Sequence, residues 1–402
     1  MSALAQEIER LGGHFAGQVA GTELSPPAFA ARAAEVIEDL LAGGWGLEAL
    51  VEMVRSGLPR QERVNPNFGQ PAITLFLHED FRIDALCWRP GATSIHHHDF
   101  SGAFGVLSGT SLQRTLSFTG ARSSGSASVE ILDGFSEEVA VLRQGEVRTI
   151  QEGPGFAHQV THVEPAAVTL VLRSHGPLAG AEEWSYLPPS LRVASRDQHA
   201  ETDQQARFYR FLRDLQPERA VGFASAVIAG GDDYAAVEML RVLAQGDRDF
   251  ETTRRLAQER SVAPEVVESL VHEASRERLA AAMKRARTSV ARAVFGVFST
   301  ATRFDDRRRL LEELSVVDAE IVASRVLGEW LVRLGLDPAE RDPFERDLAE
   351  HFATVRDPGA AAPPTSVAEP LDRLGLGPCI LGRIPWPELE RRHDVPAMSR
   401  QH

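Results

Sequence analysis

The sequence predicts a multidomain α+β protein: a small antiparallel β-barrel with N-terminal helices packed on it, followed by an all-α domain. Three observations lead there. Residues 71–175 break into short runs rich in β-branched and aromatic residues, separated by Gly, Pro or Asp clusters, which is the texture of a sandwich or small barrel. The stretches on either side carry apolar residues three and four apart, the period of a helix. The chain is 402 residues long, more than one hydrophobic core ordinarily organises.

The elements follow in order. Residues 3–11 and 27–57 read as helical, with Phe29, Ala33, Val36, Ile37, Leu40 and Leu41 as an apolar face. Ser25, Pro26 and Pro27 suit a cap and first turn, and Gly43 and Gly44 a stop. Strands are expected over 72–77, 81–88, 104–107, 111–118, 139–142, 147–150 and 167–172, with 121–127 as a flexible hairpin tip. The expected boundaries are N-terminal helices over 1–66, a barrel over 67–185, a linker over 186–206, a helical domain over 207–356 and a Pro/Gly-rich tail over 357–402. All barrel strands precede residue 190, so a fragment of residues 1–190 is expected to fold alone.

Composition narrows the classes of function. A net charge of −14 offers no general basic surface to nucleic acid or anionic membrane. Cys87 and Cys379 are too few and too distant for a disulfide framework or a zinc ribbon, and they suit a reducing compartment. The first residues are charged and lack an apolar core, and no stretch is long and apolar enough to span a bilayer. A cytoplasmic protein is the expectation, with a small-molecule or peptide-linked substrate and neither nucleic acid nor membrane as partner.

Six of the thirteen histidines lie between residues 96 and 175. In a strand, residues two apart share a face, so His96 and His98 point together while His97 points away. Two neutral imidazoles on one face form half a site for a divalent transition metal. About 60 residues later, Gly153-Pro154-Gly155 makes a turn that leads a strand to His158 and supplies a third ligand. Asp99, beside the pair, reads as a solvated or structural residue, as does His97. Trp88 reads as barrel core.

This combination resembles the cupin superfamily, whose first motif carries His-x-His and whose second carries Pro-Gly-x-x-His. Within it, Phe81-Arg82-Ile83-Asp84-Ala85-Leu86-Cys87-Trp88, Ser94-Ile95-His96-x-His98, Leu107-x-Gly109 and Thr161-His162-Val163-Glu164-Pro165 resemble the cysteine dioxygenase family of thiol dioxygenases. The resemblance covers about residues 1–185. It implies a double-stranded β-helix barrel and one iron(II) held by His96, His98 and His158, with dioxygen as co-substrate. Where many cupins add a glutamate, this chain has Gly102 and Ala103, so coordination positions stay open.

The chain also departs from that family. Its cross-linked Cys and Tyr align with Ala103 and Arg173, and its neighbouring Ser and His with Thr169 and Val171. The strand expected to carry a carboxylate-binding arginine reads Pro71-Ala72-Ile73-Thr74-Leu75-Phe76-Leu77-His78. Arg60, Arg63 or Arg173 would have to replace it. The expected catalytic residues are therefore His162, as an acid–base or ligand-supporting group, and Arg173, facing the metal from the last strand. The expected substrate is a thiol other than free cysteine. Oxidation at carbon or nitrogen by a three-His cupin, and a non-enzymatic ligand sensor, are the alternatives.

In the helical half, the charge runs Lys284-Arg285-Ala286-Arg287 and 303–309 read as solvated faces. Glu268 with His272, and Asp347 with His351, are carboxylate–histidine pairs one turn apart. This half is expected to shape a lid, to form a homodimer surface or to bind a protein partner.

Overall fold

The computed structural model describes residues 2–20, 24–61, 69–176, 184–194, 199–248, 250–355 and 362–381. The chain opens with helices α1 (Ala3–Val19), α2 (Pro26–Ala42) and α3 (Leu47–Ser56). Ser2 caps α1 by accepting from the Ala5 amide at 3.2 Å. Ser25 sits at the start of α2 without a side-chain cap bond, and Pro26 and Pro27 set that first turn instead.

The strands are β1 (Ala72–Leu77), β2 (Phe81–Trp88), β3 (Gly91–Ala92), β4 (Ile95–His96), β5 (Gly102–Ser108), β6 (Ser111–Ser117) and β7 (Gly120–Ser126). They continue with β8 (Val129–Asp133), β9 (Ser136–Leu142), β10 (Val147–Ile150), β11 (Ala157–His162), β12 (Ala167–Ser174), β13 (Trp184–Leu187) and β14 (Leu191–Ala194). One antiparallel sheet has the order β1-β2-β12-β5-β10. The other has the order β7-β8-β14-β13-β4-β11-β6-β9, with β3 also on β11. Face to face, they form a small antiparallel barrel.

Period-two alternation divides each strand between two environments. On β2 and β12, Phe81, Ile83, Ala85, Leu170 and Leu172 point outward and share one core with Ile8, Phe15, Ile37 and Leu40 of α1 and α2. Their neighbours Leu86, Thr169 and Val171 point between the sheets. Two glycines permit the close packing. A Cβ on Gly102 would lie 2.1 Å from the Leu172 carbonyl oxygen, and one on Gly105 would lie 2.6 Å from Ile37 and Leu41.

Two expectations fail here. The expected hairpin tip is strand β7, paired with β8, and the turn lies beyond it at Ala127 and Ser128. The expected linker holds β14, which joins β8 to β13, and the first turns of a helix. Backbone pairing stabilises β7, whose Ser- and Gly-rich composition gives little sign of a strand.

The helical half comprises α4 (Ala200–Leu215), α5 (Pro217–Gly230), α6 (Asp233–Gly246), α7 (Glu251–Glu259), α8 (Pro264–Arg285) and α9 (Ser289–Thr300). It continues with α10 (Phe304–Glu313), α11 (Ala319–Leu334), α12 (Pro338–Thr354), α13 (Thr365–Arg373) and α14 (Gly377–Ile380). Part of the tail is helix: Val367, Leu371, Leu376 and Ile380 are fully buried. Residues 357–361 and 382–402 of it lie outside the described residues.

The two large cores of this half are shared with the barrel. Leu112, Val139 and Val141 of the second sheet, and Val163 just after β11, share one cluster with Met283, Val294, Val297 and Phe298. Val129, Ile131, Leu187, Leu191 and Val193 share another with Tyr209, Leu240, Leu243 and Leu270. The molecule is layered as helices, sheet, sheet, helices, and cutting at residue 190 would remove β14 and expose the second sheet. The expectation of a self-sufficient 1–190 fragment is replaced by that of a barrel which folds with its helices.

A layer of paired charges runs through this junction. The Arg114 guanidinium, fully buried on β6, pairs with Glu137 of β9 at 2.5 Å. The Thr302 amide donates to the same carboxylate at 2.9 Å, as does its hydroxyl. Glu273 and Arg276 pair bidentately on α8. Arg307 is also fully buried, donating to three backbone carbonyls and stacking on Phe298 and Phe304. The reading of 303–309 as a solvated face is thus wrong for Arg307, which lies on the buried stripe with Phe304 and Leu311. It holds for Lys284, Arg285 and Arg287, which are exposed.

Candidate metal centre

The site assembles from three short pieces of backbone. His96 ends β4 and stands directly opposite His158 of β11 in the ladder, so their side chains leave the same face. His97 points the other way, is buried, and its Nδ1 lies 2.8 Å from the Tyr186 hydroxyl. It leaves the opposite face, as alternation requires, whereas Asp99 is exposed. His98 follows β4, and its carbonyl accepts from the Gly153 amide at 2.9 Å. Gly153 has a φ of 82°, a value that glycine adopts without strain. The 3-10 turn Pro154–Phe156 then leads into β11, two residues before His158.

The three imidazoles converge. Their ligand atoms lie within 4.8 Å of one another, and Nε2 of His98 is 2.9 Å from Nε2 of His158. His96 Nδ1 lies 2.9 Å from the Ser94 carbonyl oxygen, to which it donates, so its Nε2 keeps a lone pair. Burial, the largest cause, lowers the pKa of His96 and takes His98 and His158 well below the ordinary imidazole value. All three are neutral, as ligation needs. His158 Nδ1 is buried without a partner. Two facing nitrogens at that separation suit adjacent positions on one ion with bonds of about 2.1 Å. The donor set therefore fits a divalent transition metal.

Among the described residues no carboxylate joins them. Gly102 has no room for a side chain, and Ala103 faces the N-terminal helices with Leu107. The residue directly opposite Arg173 is Gly102, so the barrel interior meets position 102 and not 103.

The imidazoles open into a small cavity between the sheets. Leu86, Phe100, Phe104, Ile150, Val160 and Val171 give it an apolar wall. Trp88 lines it too and is not simply core: its indole N–H donates to the Thr169 hydroxyl at 3.0 Å, and its ring stacks on His162 at 4.7 Å. His162 lines the cavity, with Nδ1 2.8 Å from the Ser111 hydroxyl and Nε2 buried and unpaired. Burial takes its pKa down to about 3. It is a neutral hydrogen-bonding group and a weak base.

Arg173 is not in the cavity wall. Its guanidinium stacks on Phe100 at 4.7 Å and lies 3.6 Å from Asp84, one ring away from the space it was expected to face. Asp84 also pairs with Arg82 at 2.8 Å and accepts from the Thr74 hydroxyl. Sequence reading missed this Arg82–Asp84–Arg173 plug, although alternation along β2 puts Arg82 and Asp84 on the same face as Leu86. Arg60 is exposed, and Arg63 lies outside the described residues. Among the described residues no Lys or Arg lines the cavity.

The paired histidines of the helical half form no second centre. Neither Glu268 with His272 nor Asp347 with His351 falls in a group of three metal-ligating side chains among the described residues. Such a group does occur at His78, Glu79 and Asp80, on a largely exposed turn.

No family model and no curated protein matches the chain. Solved structures do match in part. An oxalate oxidase aligns at 15% identity over 43% of this chain and 79% of its own, with a TM-score of 0.23. A protein with a double-stranded beta-helix domain from Klebsiella pneumoniae aligns at 14% over 34% and 99%, with a TM-score of 0.19. A structure of DMSP lyases aligns at 17% over 34% and 61%, with a TM-score of 0.20. The chain spans 53%, 61% and 32% of the first three structures matched.

Proposed function

We propose that this chain is a cupin-type non-haem iron(II) dioxygenase that oxygenates the sulfur of a thiol other than free cysteine. One observation carries the reading: three neutral, buried imidazoles converge at the wall of an apolar cavity, with no carboxylate beside them among the described residues. When bound, the metal would hold thiolate and dioxygen together and withdraw charge from sulfur. The balance is RSH plus O₂ giving RSO₂H, with sulfur losing the four electrons that dioxygen gains.

The chain's own residues select the substrate. Leu86, Phe104, Ile150 and Val171 exclude water and favour an apolar group next to the thiol. Trp88 and His162 present a flat, neutral platform, and His162 Nε2 is the one hydrogen-bonding nitrogen there without a partner. A free amino acid would bring a carboxylate that no cavity-lining cation meets. A buried charge left unpaired loses about 2–5 kcal/mol, roughly 30- to several-thousand-fold in specificity. The two free thiols suit a reducing compartment such as the cytoplasm.

The test is elemental analysis of the purified chain, followed by oxygen uptake with cysteine, cysteamine, 3-mercaptopropionate and larger apolar thiols. One iron per chain and uptake that favours the uncharged, bulkier thiols is the expected result. Fast oxidation of free cysteine overturns the substrate assignment, and a chain that takes up no metal overturns the whole reading.

A further inference from the structure

Helix α4 presents an apolar stripe to solvent. Phe208, Phe211 and Leu215 are 49%, 61% and 62% exposed, and with half-buried Leu212 they recur at the three–four spacing of one helical face. The opposite face is the packed one: Thr202, Ala206 and Tyr209 are buried. Phe208 extends the stripe onto α5, meeting Phe223 edge-to-face at 5.3 Å. Large aromatics gathered this way mark an interaction surface.

The charges beside the stripe say what covers it. Arg207 and Asp214 are seven residues apart, two helical turns, and lie on the same edge of the stripe. Both are well exposed, at 68% and 72% of the side chain. Their present partners, Asp203 and Arg213, belong to the same helix, and such local surface pairs hold a side chain weakly. A two-fold axis through Phe211 and Leu212 would run two copies of α4 antiparallel. It would place Phe208 against Leu215 and Phe211 against Leu212. Arg207 of each copy would then meet Asp214 of the other, within about two residues of exact register. The surface is complementary to itself.

We infer that this face of α4 is the contact of a homodimer in which a second copy of the chain docks α4 antiparallel on α4. The closed two-fold arrangement uses the whole stripe at once. With only one helix and its neighbour on each side, the contact falls at the small end of specific interfaces, so the dimer dissociates at roughly micromolar concentration.

Sedimentation equilibrium of the full chain across about 1–200 μM tests it. The expected outcome is a reversible monomer–dimer equilibrium, abolished by Phe211→Glu, a substitution at an exposed position that leaves the fold intact. Asp214→Arg and Arg207→Asp should each weaken the dimer at least about tenfold by setting like charges face to face. The double swap Arg207→Asp/Asp214→Arg should restore it. A chain that stays monomeric throughout overturns the inference. So does a dimer indifferent to Phe211→Glu, which would place the contact at another exposed patch such as Val51 or Ile321, and so does a double swap that fails to rescue.

Discussion

Two buried polar regions lie on opposite faces of the second sheet, and they are built on opposite terms. Between the sheets, His96, His98 and His158 bring neutral nitrogens together with no counter-charge and with open volume before them. Behind the sheet, Arg114, Glu137, Glu273, Arg276 and Arg307 are as deeply buried, yet each finds an opposite charge or a run of backbone carbonyls. Buried charge is tolerated when compensated inside the protein. Groups left uncompensated beside a cavity await something from outside. The contrast separates a region that holds the molecule together from one that acts on a ligand.

The largest expected effect comes from removing the junction outright. Truncation after Ala194 should leave Leu112, Val139, Val141 and Val163 uncovered, and the fragment should aggregate or lack cooperative unfolding by circular dichroism. A soluble, cooperatively folding fragment would restore the barrel as an independent domain and dissolve the contrast.

Next, Glu137→Ala strands the Arg114 guanidinium and should lower stability by about 3–5 kcal/mol in urea titrations. His98→Ala should change metal-free stability by no more than about 1 kcal/mol while abolishing stoichiometric metal binding. Equal losses of stability in the two variants would mean that the histidines are structural after all.

A smaller effect follows from His272, the exception within the charged layer. It is buried on α8 with both ring nitrogens unpaired. Burial, helped by Arg114 and Arg276 and opposed by Glu273 and Glu137, takes its pKa from 6.5 to about 3. Between those values the unfolded chain binds a proton that the folded one refuses. This contribution is therefore complete above pH 6.5 and fades as pH falls toward 3, reaching a loss of about 2 kcal/mol by pH 5. His272→Leu should flatten that part of the stability–pH curve, and an unchanged curve would remove His272 from the account.

The smallest effect tests alternation beside the site. Tyr186→Phe removes the hydroxyl that meets His97 and should cost about 1 kcal/mol with metal content unaltered. Lost metal in that variant would show that His97 and the ligands are not independent.

How far the sequence could be read depended on whether a residue's period and chemistry agreed. His96, His98 and His158 were legible because strand alternation and a Pro/Gly turn place them without long-range knowledge. Arg307 was not, because its charge argues for solvent while its spacing from Phe304 and Leu311 argues for burial, and only the packed neighbours decide. Strand β7 was obscured by Ser, Gly and Arg, residues that take strand geometry from their partners, and β14 by its position after Pro188-Pro189. Arg173 was expected to face the metal, whereas its guanidinium lies against Phe100 and Asp84, which no local pattern ties to it.

The unequal anchoring of the three histidines has a consequence for motion. Strand β4 is two residues long, whereas His158 sits within the six residues of β11. Short segments with few ladder bonds open first. An ion held by all three rings would clip that weak segment to the middle of the sheet, and opening it would require releasing the ion. Amide hydrogen exchange over residues 95–98 should therefore slow on metal loading, while the amides of β5 keep their rates. That difference would report how fully the site is occupied before any substrate is known.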